Sequence, residues 1–422
     1  LYVMEKNVEK LIMRLHLKRN ILFFALILVV FFPMKGVISF VFQYGFGYNI
    51  SKYFGIFFIA IMILPLSYVV INNSHLKKTS EVFFYSVFVF LGLAFSILSK
   101  DANLLHSSFV IFGLPVVLSW VKGIDDSTIF YLFGIFFKFT IFFILIEACV
   151  IHLGLFGRIS YDEIMAYQSS FTSGTLTGIF DSRTSGGVYR TGGYLGNKLA
   201  MPALVLLSFI FFYINNKVHH SYKGFLMSVA GAISLLISAS ATAILAGLIT
   251  VIFYEIFVCR NIWRVIRYLT ILTILSIPVI FILIQVSSIG YIFERLLNNV
   301  NNADYLNNFI KFDGSLVKLF QFFFIGGWKS ALEGVPSHND FINLLFMFGI
   351  LPVLMLIRRW YSAIKFGLKS RYDSPGHVFS VMLISLFLTF FHHHMGLTIY
   401  SMIIGTIMLL SIEKTKSGMF EK

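Results

Sequence analysis

Charge and cysteine are what this sequence has least of. Only 12% of its 422 residues are charged, acidic residues number 19 against 33 Lys and Arg, and there are two cysteines. So little charge, with 58% hydrophobic residues, excludes a soluble protein built round one large core. Cys149 and Cys259 lie in or beside apolar runs that the topology below places on opposite sides of a membrane, which argues against a disulfide between them. The long polar segments lack an Asp-x-Asp pair, and the adjacent carboxylates Asp162 and Glu163 have no third ligand nearby. Divalent-metal catalysis is therefore disfavoured, and no metal or other cofactor is expected. The net charge of +14 does not point to nucleic acid, because the cations sit in short segments between apolar runs, where they report membrane orientation.

What is abundant is apolar and aromatic: 50 Phe and a mean hydropathy of +0.85. Apolar runs fall near 20–34, 53–72, 82–98, 108–121, 129–153, 193–214, 222–238, 240–258, 267–288, 339–357, 377–391 and 396–411, about twelve candidate spans. The pair around Ser238–Thr242 reads either as a tight turn between two helices or as one long bent helix. The N-terminal run LYVMEKNVEKLIMRLHLKRN is basic, precedes an apolar stretch and lacks a small-residue cleavage pattern, so a retained first span is expected. With the N-terminus inside, Lys18, Arg19, Lys77, Lys78, Lys217, Arg260, Arg358, Arg359 and Lys414 all fall in inner segments. The positive-inside rule thus gives twelve spans with both termini cytoplasmic.

The expectation is an all-α polytopic membrane protein, one domain over 1–422, with long outer segments over 154–192 and 289–338. The first is rich in Ser, Thr and Gly; the second contains LVKLFQFFFIGGW, whose apolar residues suit an interfacial helix. Both read as lids over a cavity between membrane and water.

At the end of the second outer segment stands PSHNDFINLLFMFGI, residues 336–350. Ser337 and Asp340 have capping-box spacing, which predicts a helix starting at His338. A first-turn imidazole faces the positive end of the helix, which favours the neutral ring, and a neutral ring can accept a proton from an alcohol. The same residue reads equally as an interfacial anchor. On that helix Asn339, Ile342, Phe346 and Gly349 share a face, read as structural, with Gly349 allowing close contact.

Arg183 and Arg190 flank TSGGVY, and Arg190 opens TGGYLGNKLA. A guanidinium fork beside glycine-exposed N–H groups suits a pyrophosphate, or a lipid headgroup. Asn197 lies about two helical turns further on and reads as a sugar contact or an interhelical bond. Arg295, beside Glu294, is the preferred second cation, with Lys311, Lys318 and Lys329 behind it. His392, His393 and His394 point about 100° apart on a helix and so do not share one ion.

HNDFINLLFMFG and RTGGYLGNKLA resemble the signatures of the O-antigen polymerase and ligase superfamily of bacterial membrane glycosyltransferases. The specific matches amount to about two dozen residues, while the topology extends the likeness over most of the chain. The resemblance implies a GT-C-like helical membrane fold in the inner membrane with its active site facing the periplasm. It implies His338 as catalytic base, Asn339 as its polar companion, and Arg190 as a pyrophosphate ligand, with Arg295 matching only approximately. Where the family often has a Ser-Arg pair in the central spans this chain has SASATAI, and for Ser-Gly-Arg it has FDGSLVK. The implied activity is metal-independent, inverting transfer of a growing glycan from undecaprenyl pyrophosphate to the non-reducing end of a lipid-linked repeat. Ligation to lipid A core is the alternative, and transport of a lipid-linked polysaccharide is a third reading. The implied partners are undecaprenyl-pyrophosphate-linked glycans and membrane lipids, with a chain-length regulator as a further candidate.

Overall fold

The computed structural model describes residues 46, 80–114, 126–152, 200–238, 240–260, 263, 266, 270, 316–328, 340–389, 405–409 and 412. Among the described residues every regular element is helical and no strand occurs, in agreement with the all-α expectation. The chain divides into two compact units: residues 1–136, 328–330 and 402–422, and residues 137–327 and 331–401.

In the first unit, α1 (Ser80–Ser99) turns into α2 (Ala102–Ser108), which continues as a π-helical turn over Phe109–Gly113. The start of α2 is set by Asp101, whose Oδ1 accepts from the Leu104 amide at 3.2 Å, a side-chain cap on an otherwise unsatisfied N–H. This places the helix start ahead of the 108 read from hydropathy alone. The two elements pack closely where Gly92 faces the Ser108 side chain, and Phe88 and Phe112 meet with ring centroids 5.2 Å apart.

Helix α3 (Asp126–His152) contributes to both units. The second unit is organised round α4 (Ala200–His219), which packs against α5 (Tyr222–Ile237), α6 (Ala241–Phe253, prolonged by a π-helical turn over Tyr254–Val258) and α10 (Pro375–Thr389). Met201, Leu204, Val205, Leu206, Leu207 and Ile214 of α4 are buried, as expected of a helix that is apolar on all sides. Its core hydroxyls satisfy themselves locally, Ser208 donating to the Leu204 carbonyl at 2.7 Å; Thr250 in α6 does the same to Ala246 at 2.7 Å. The ambiguity around Ser238–Thr242 resolves as a turn. Ser238 ends α5, and Ser240 caps α6 by accepting from the Ala243 amide at 3.4 Å.

The remaining elements are α7 (Leu316–Phe324), α8 (Asp340–Phe348) and α9 (Ile350–Lys369). The span expected over 339–357 is thus two helices, broken at Gly349. Helix α9 runs on to Lys369 because Trp360, Ala363 and Gly367 are buried at its contact with α10.

Among the described residues two helices, Ser127–Ile146 and Met201–His219, are long and apolar enough to cross a membrane; Phe84–Ser99, Tyr222–Ile237, Thr242–Val258 and Pro375–Thr389 are shorter apolar helices. Leu226, Val229, Ile233 and Leu236 form an exposed apolar stripe along α5, as do Leu245, Leu248 and Ile249 on α6. Stripes of this kind suit a hydrocarbon solvent better than water.

Candidate functional site

The sequence-derived site residues Arg183, Arg190, Asn197, Arg295, His338 and Asn339, the lysines Lys311 and Lys329, and the run His392–His394 lie outside the described residues, as do 154–192 and most of 289–338. What is described is the pair of helices, α7 and α8, that flank the His338 segment in sequence. Helix α7 forms within LVKLFQFFFIGGW, with Val317, Phe320, Phe324 and Ile325 exposed and Phe322 buried, the one-sided pattern that an interfacial helix requires. At its end Gly326 adopts φ +85, and the Gly327 amide donates to the Phe346 carbonyl in α8 at 2.7 Å.

This contact has a steric reason for its glycines. A Cβ on Gly326 would stand 2.6 Å from the Phe348 carbonyl carbon, and one on Gly349 would stand 2.7 Å from the Phe324 carbonyl oxygen. Gly349 itself has φ +84 and ψ 172, a combination essentially confined to glycine. The close-approach role expected for Gly349 is therefore met by backbone packing of α7 against the α8–α9 break. Phe322 and Phe346 add a ring contact at 6.4 Å, and Phe341 packs edge-on against Phe387 of α10 at 4.8 Å. Phe346 is buried and Ile342 half-buried, in keeping with a structural face. Helix α8 thus has both flanks fixed, and its nine residues set its start about 13 Å from the glycine lock. His338 and Asn339 immediately precede that start in sequence.

A second polar site was not recognised from the sequence. Glu255, 1% exposed, lies in the π-helical turn that prolongs α6. Its Oε1 receives Lys217 Nζ at 2.6 Å and the Tyr213 hydroxyl at 2.5 Å, both from the last turns of α4. Lys217 also sits 5.4 Å from the Tyr213 ring centroid. Taking a carboxylate out of water is costly unless it is paired and hydrogen-bonded; this pairing explains why α4 continues past 214 through Asn215, Asn216 and Lys217. The available signal was Glu255 itself, an acidic residue inside an apolar run, which demands a partner.

Beside this pair, His377 of α10 is fully buried and stands edge-on to Tyr254 at 5.9 Å and to Tyr372 at 5.1 Å. Neither of its ring nitrogens has a hydrogen-bond partner among the described residues. Both tyrosines line an open cavity of about 670 Å³ together with Lys217, His220, Arg371 and Asp373. The turn that carries Arg371 to Asp373 is held by Ser374, whose amide and hydroxyl both donate to the Arg371 carbonyl, at 2.9 and 2.7 Å. Ser374 also caps α10 through the His377 amide at 3.2 Å, with Pro375 at the first helical position, where its missing N–H costs nothing. Among the described residues no cluster of three or more His, Cys, Asp or Glu has the disposition to hold a metal ion.

Comparisons of this chain with protein-family models, with curated proteins and with solved structures find no match.

Proposed function

We propose that the chain is a bacterial polysaccharide polymerase of the inner membrane, moving a growing glycan from undecaprenyl pyrophosphate onto the non-reducing end of a lipid-linked repeat. The observation that carries this reading is the sequence HNDFINLLFMFG, in which the catalytic candidate His338 leads directly into a helix that the fold clamps at its far end. A base of this kind works only if held within hydrogen-bond reach of the attacking hydroxyl, so a rigid support is what the chemistry asks for.

In this mechanism neutral His338 accepts the proton of the acceptor sugar hydroxyl as that oxygen attacks the donor anomeric carbon. The bond from that carbon to the pyrophosphate breaks in the same displacement, which inverts the anomeric configuration. Arg190, with Arg295 and Arg183 in support, neutralises the departing pyrophosphate, and Asn339 and Asn197 orient the sugars. The test is purified protein with a lipid-linked repeat as its sole substrate. Longer lipid-linked products support polymerisation, whereas glycan transfer only after lipid A core is added assigns ligation instead.

Transport of a lipid-linked glycan is the second reading, favoured by the pairing of half-buried Lys217 with buried Glu255, since ionisable groups inside a membrane helix bundle often mark a coupling pathway. Its position in the last turn of α4 suits a boundary pair better than a midplane one. Vectorial movement in vesicles without glycosidic bond formation would establish transport.

A further inference from the structure

The cavity lined by Lys217, His220, Tyr254, Arg371, Tyr372 and Asp373 plays no part in the glycosyl-transfer reading. It lies at the end of α4 that the distribution of Lys and Arg assigns to the cytoplasm, whereas His338 is assigned to the opposite side. Helix α9, with its 20 residues, is about 30 Å long, so the Arg371 turn stands well away from the glycine lock at Gly349.

We propose that this cavity is a binding site for a phosphate-bearing anion, either an anionic lipid headgroup of the inner leaflet or a soluble phosphate. Its volume falls within the range of small-molecule sites, and it sits at the end of a helix long and apolar enough to cross a membrane. Basic pockets between helices at the cytoplasmic boundary are suited to such headgroups.

The walls are built in advance. His377, fully buried, stands edge-on to both the Tyr254 and the Tyr372 ring and so helps fix them. Tyr372 is further fixed by donating its hydroxyl to the Val258 carbonyl at 3.2 Å. The backbone under Arg371 is tied by Ser374, while the Arg371 side chain itself is 82% exposed.

The charges determine how an anion would enter. Lys217 is neutralised by Glu255, and Arg371 makes a bidentate contact with Asp373, Nε to Oδ1 at 3.2 Å and Nη2 to Oδ2 at 2.8 Å. Surface pairs of this kind are weak, and Asp373 offers one negative charge where a phosphate offers as much or more, with more acceptor oxygens. Asp373 is thus a placeholder that an incoming phosphate displaces from the guanidinium fork. No covalent step is involved. The assignment is independent of the polymerase reading.

The distinctive consequence is that removing the acid and removing the base act in opposite directions. The experiment is titration calorimetry of the full chain in a neutral detergent, with inorganic phosphate, short-chain phosphatidylglycerol and short-chain phosphatidylcholine as separate probes. A saturable site is expected for phosphatidylglycerol, for inorganic phosphate, or for both. R371Q should weaken it about tenfold or more, and D373N should tighten it severalfold. Because both side chains are exposed or half-exposed, neither change threatens the fold, and unchanged thermal unfolding verifies this. Preference for phosphatidylglycerol assigns the lipid source; inorganic phosphate binding as tightly assigns a soluble one. Absence of a saturable site for both anionic probes overturns the proposal. So does binding indifferent to R371Q, weakened by D373N, or equally strong for phosphatidylcholine.

Discussion

The backbone amide of Gly327 donates to the carbonyl of Phe346 at 2.7 Å, and this one bond ties the end of α7 to the last turn of α8. In sequence, residues 328–339, which end at His338 and Asn339, join these two elements.

Gly349→Ala tests the lock. Alanine at φ +84 and ψ 172, with its methyl 2.7 Å from the Phe324 carbonyl oxygen, should cost at least about 2 kcal/mol. The loss should appear as a lowered thermal midpoint in detergent. An unchanged midpoint would show that α7 and the α8–α9 break do not pack as closely as described.

The Lys217–Glu255 pair should behave as a pair whose carboxylate is buried. Lys217→Met alone leaves the Glu255 carboxylate without its cation and should destabilise by about 3–5 kcal/mol. Combining it with Glu255→Gln should recover much of that loss, because the uncompensated charge is gone. Additive losses in a double-mutant cycle of unfolding free energies would mean that the two side chains act independently.

Orientation is open to labelling. Cysteines placed at Ser173 and Asn307 should react with an impermeant thiol reagent from the periplasmic side. One placed at Ser362, exposed on α9, should react only after the membrane is permeabilised. The reversed pattern would invert the topology and move His338 to the cytoplasmic side.

Replacing the proposed base should lower turnover without removing the donor. His338→Ala is expected to lose at least about a hundredfold in kcat, the lower bound for general-base assistance, while still binding lipid-linked glycan. His338→Gln keeps a hydrogen bond but not proton acceptance and should recover little. Chain growth at the wild-type rate by folded His338→Ala protein, followed as product length on gels, would remove the assignment.

Arg190, the proposed pyrophosphate ligand, should show a preference for shape as well as charge. Arg190→Ala is expected to weaken donor binding severely and Arg190→Lys to recover only part of it, because Lys retains the charge and loses the bidentate fork. Donor affinity at matched protein levels reads this directly, and equal affinity in all three proteins would place the pyrophosphate elsewhere.

The helical class and several element positions were legible in the sequence, because an apolar run bounded by Ser, Gly or cationic residues carries its own start and stop signals. Helix α1 falls within two residues of the expected 82–98, α5 within one of 222–238, and α6 with its π-helical turn within one of 240–258. Hydropathy misplaced two ends that a side-chain partner set: Asp101 starts α2 ahead of the apolar run, and Glu255 draws α4 on through Lys217. The break at Gly349 was also invisible to hydropathy, since apolar residues lie on both sides of it.

By itself, then, the sequence determined that this is an all-α chain rich in apolar helices, with Lys and Arg distributed to report an orientation and a motif around His338 that suggests a chemistry. These are properties of composition and local order, and they are written residue by residue. Only the tertiary structure decided that Gly326 and Gly349 meet, that Glu255 finds Lys217 and Tyr213, and that Arg371 and Asp373 share a cavity with Tyr254. Those relationships join positions separated by 23 to 42 residues or by more than a hundred. Which distant groups meet depends on which surfaces fit at close range, through steric complementarity at glycine and through the cost of burying a charge alone, and neither is visible until the helices are packed.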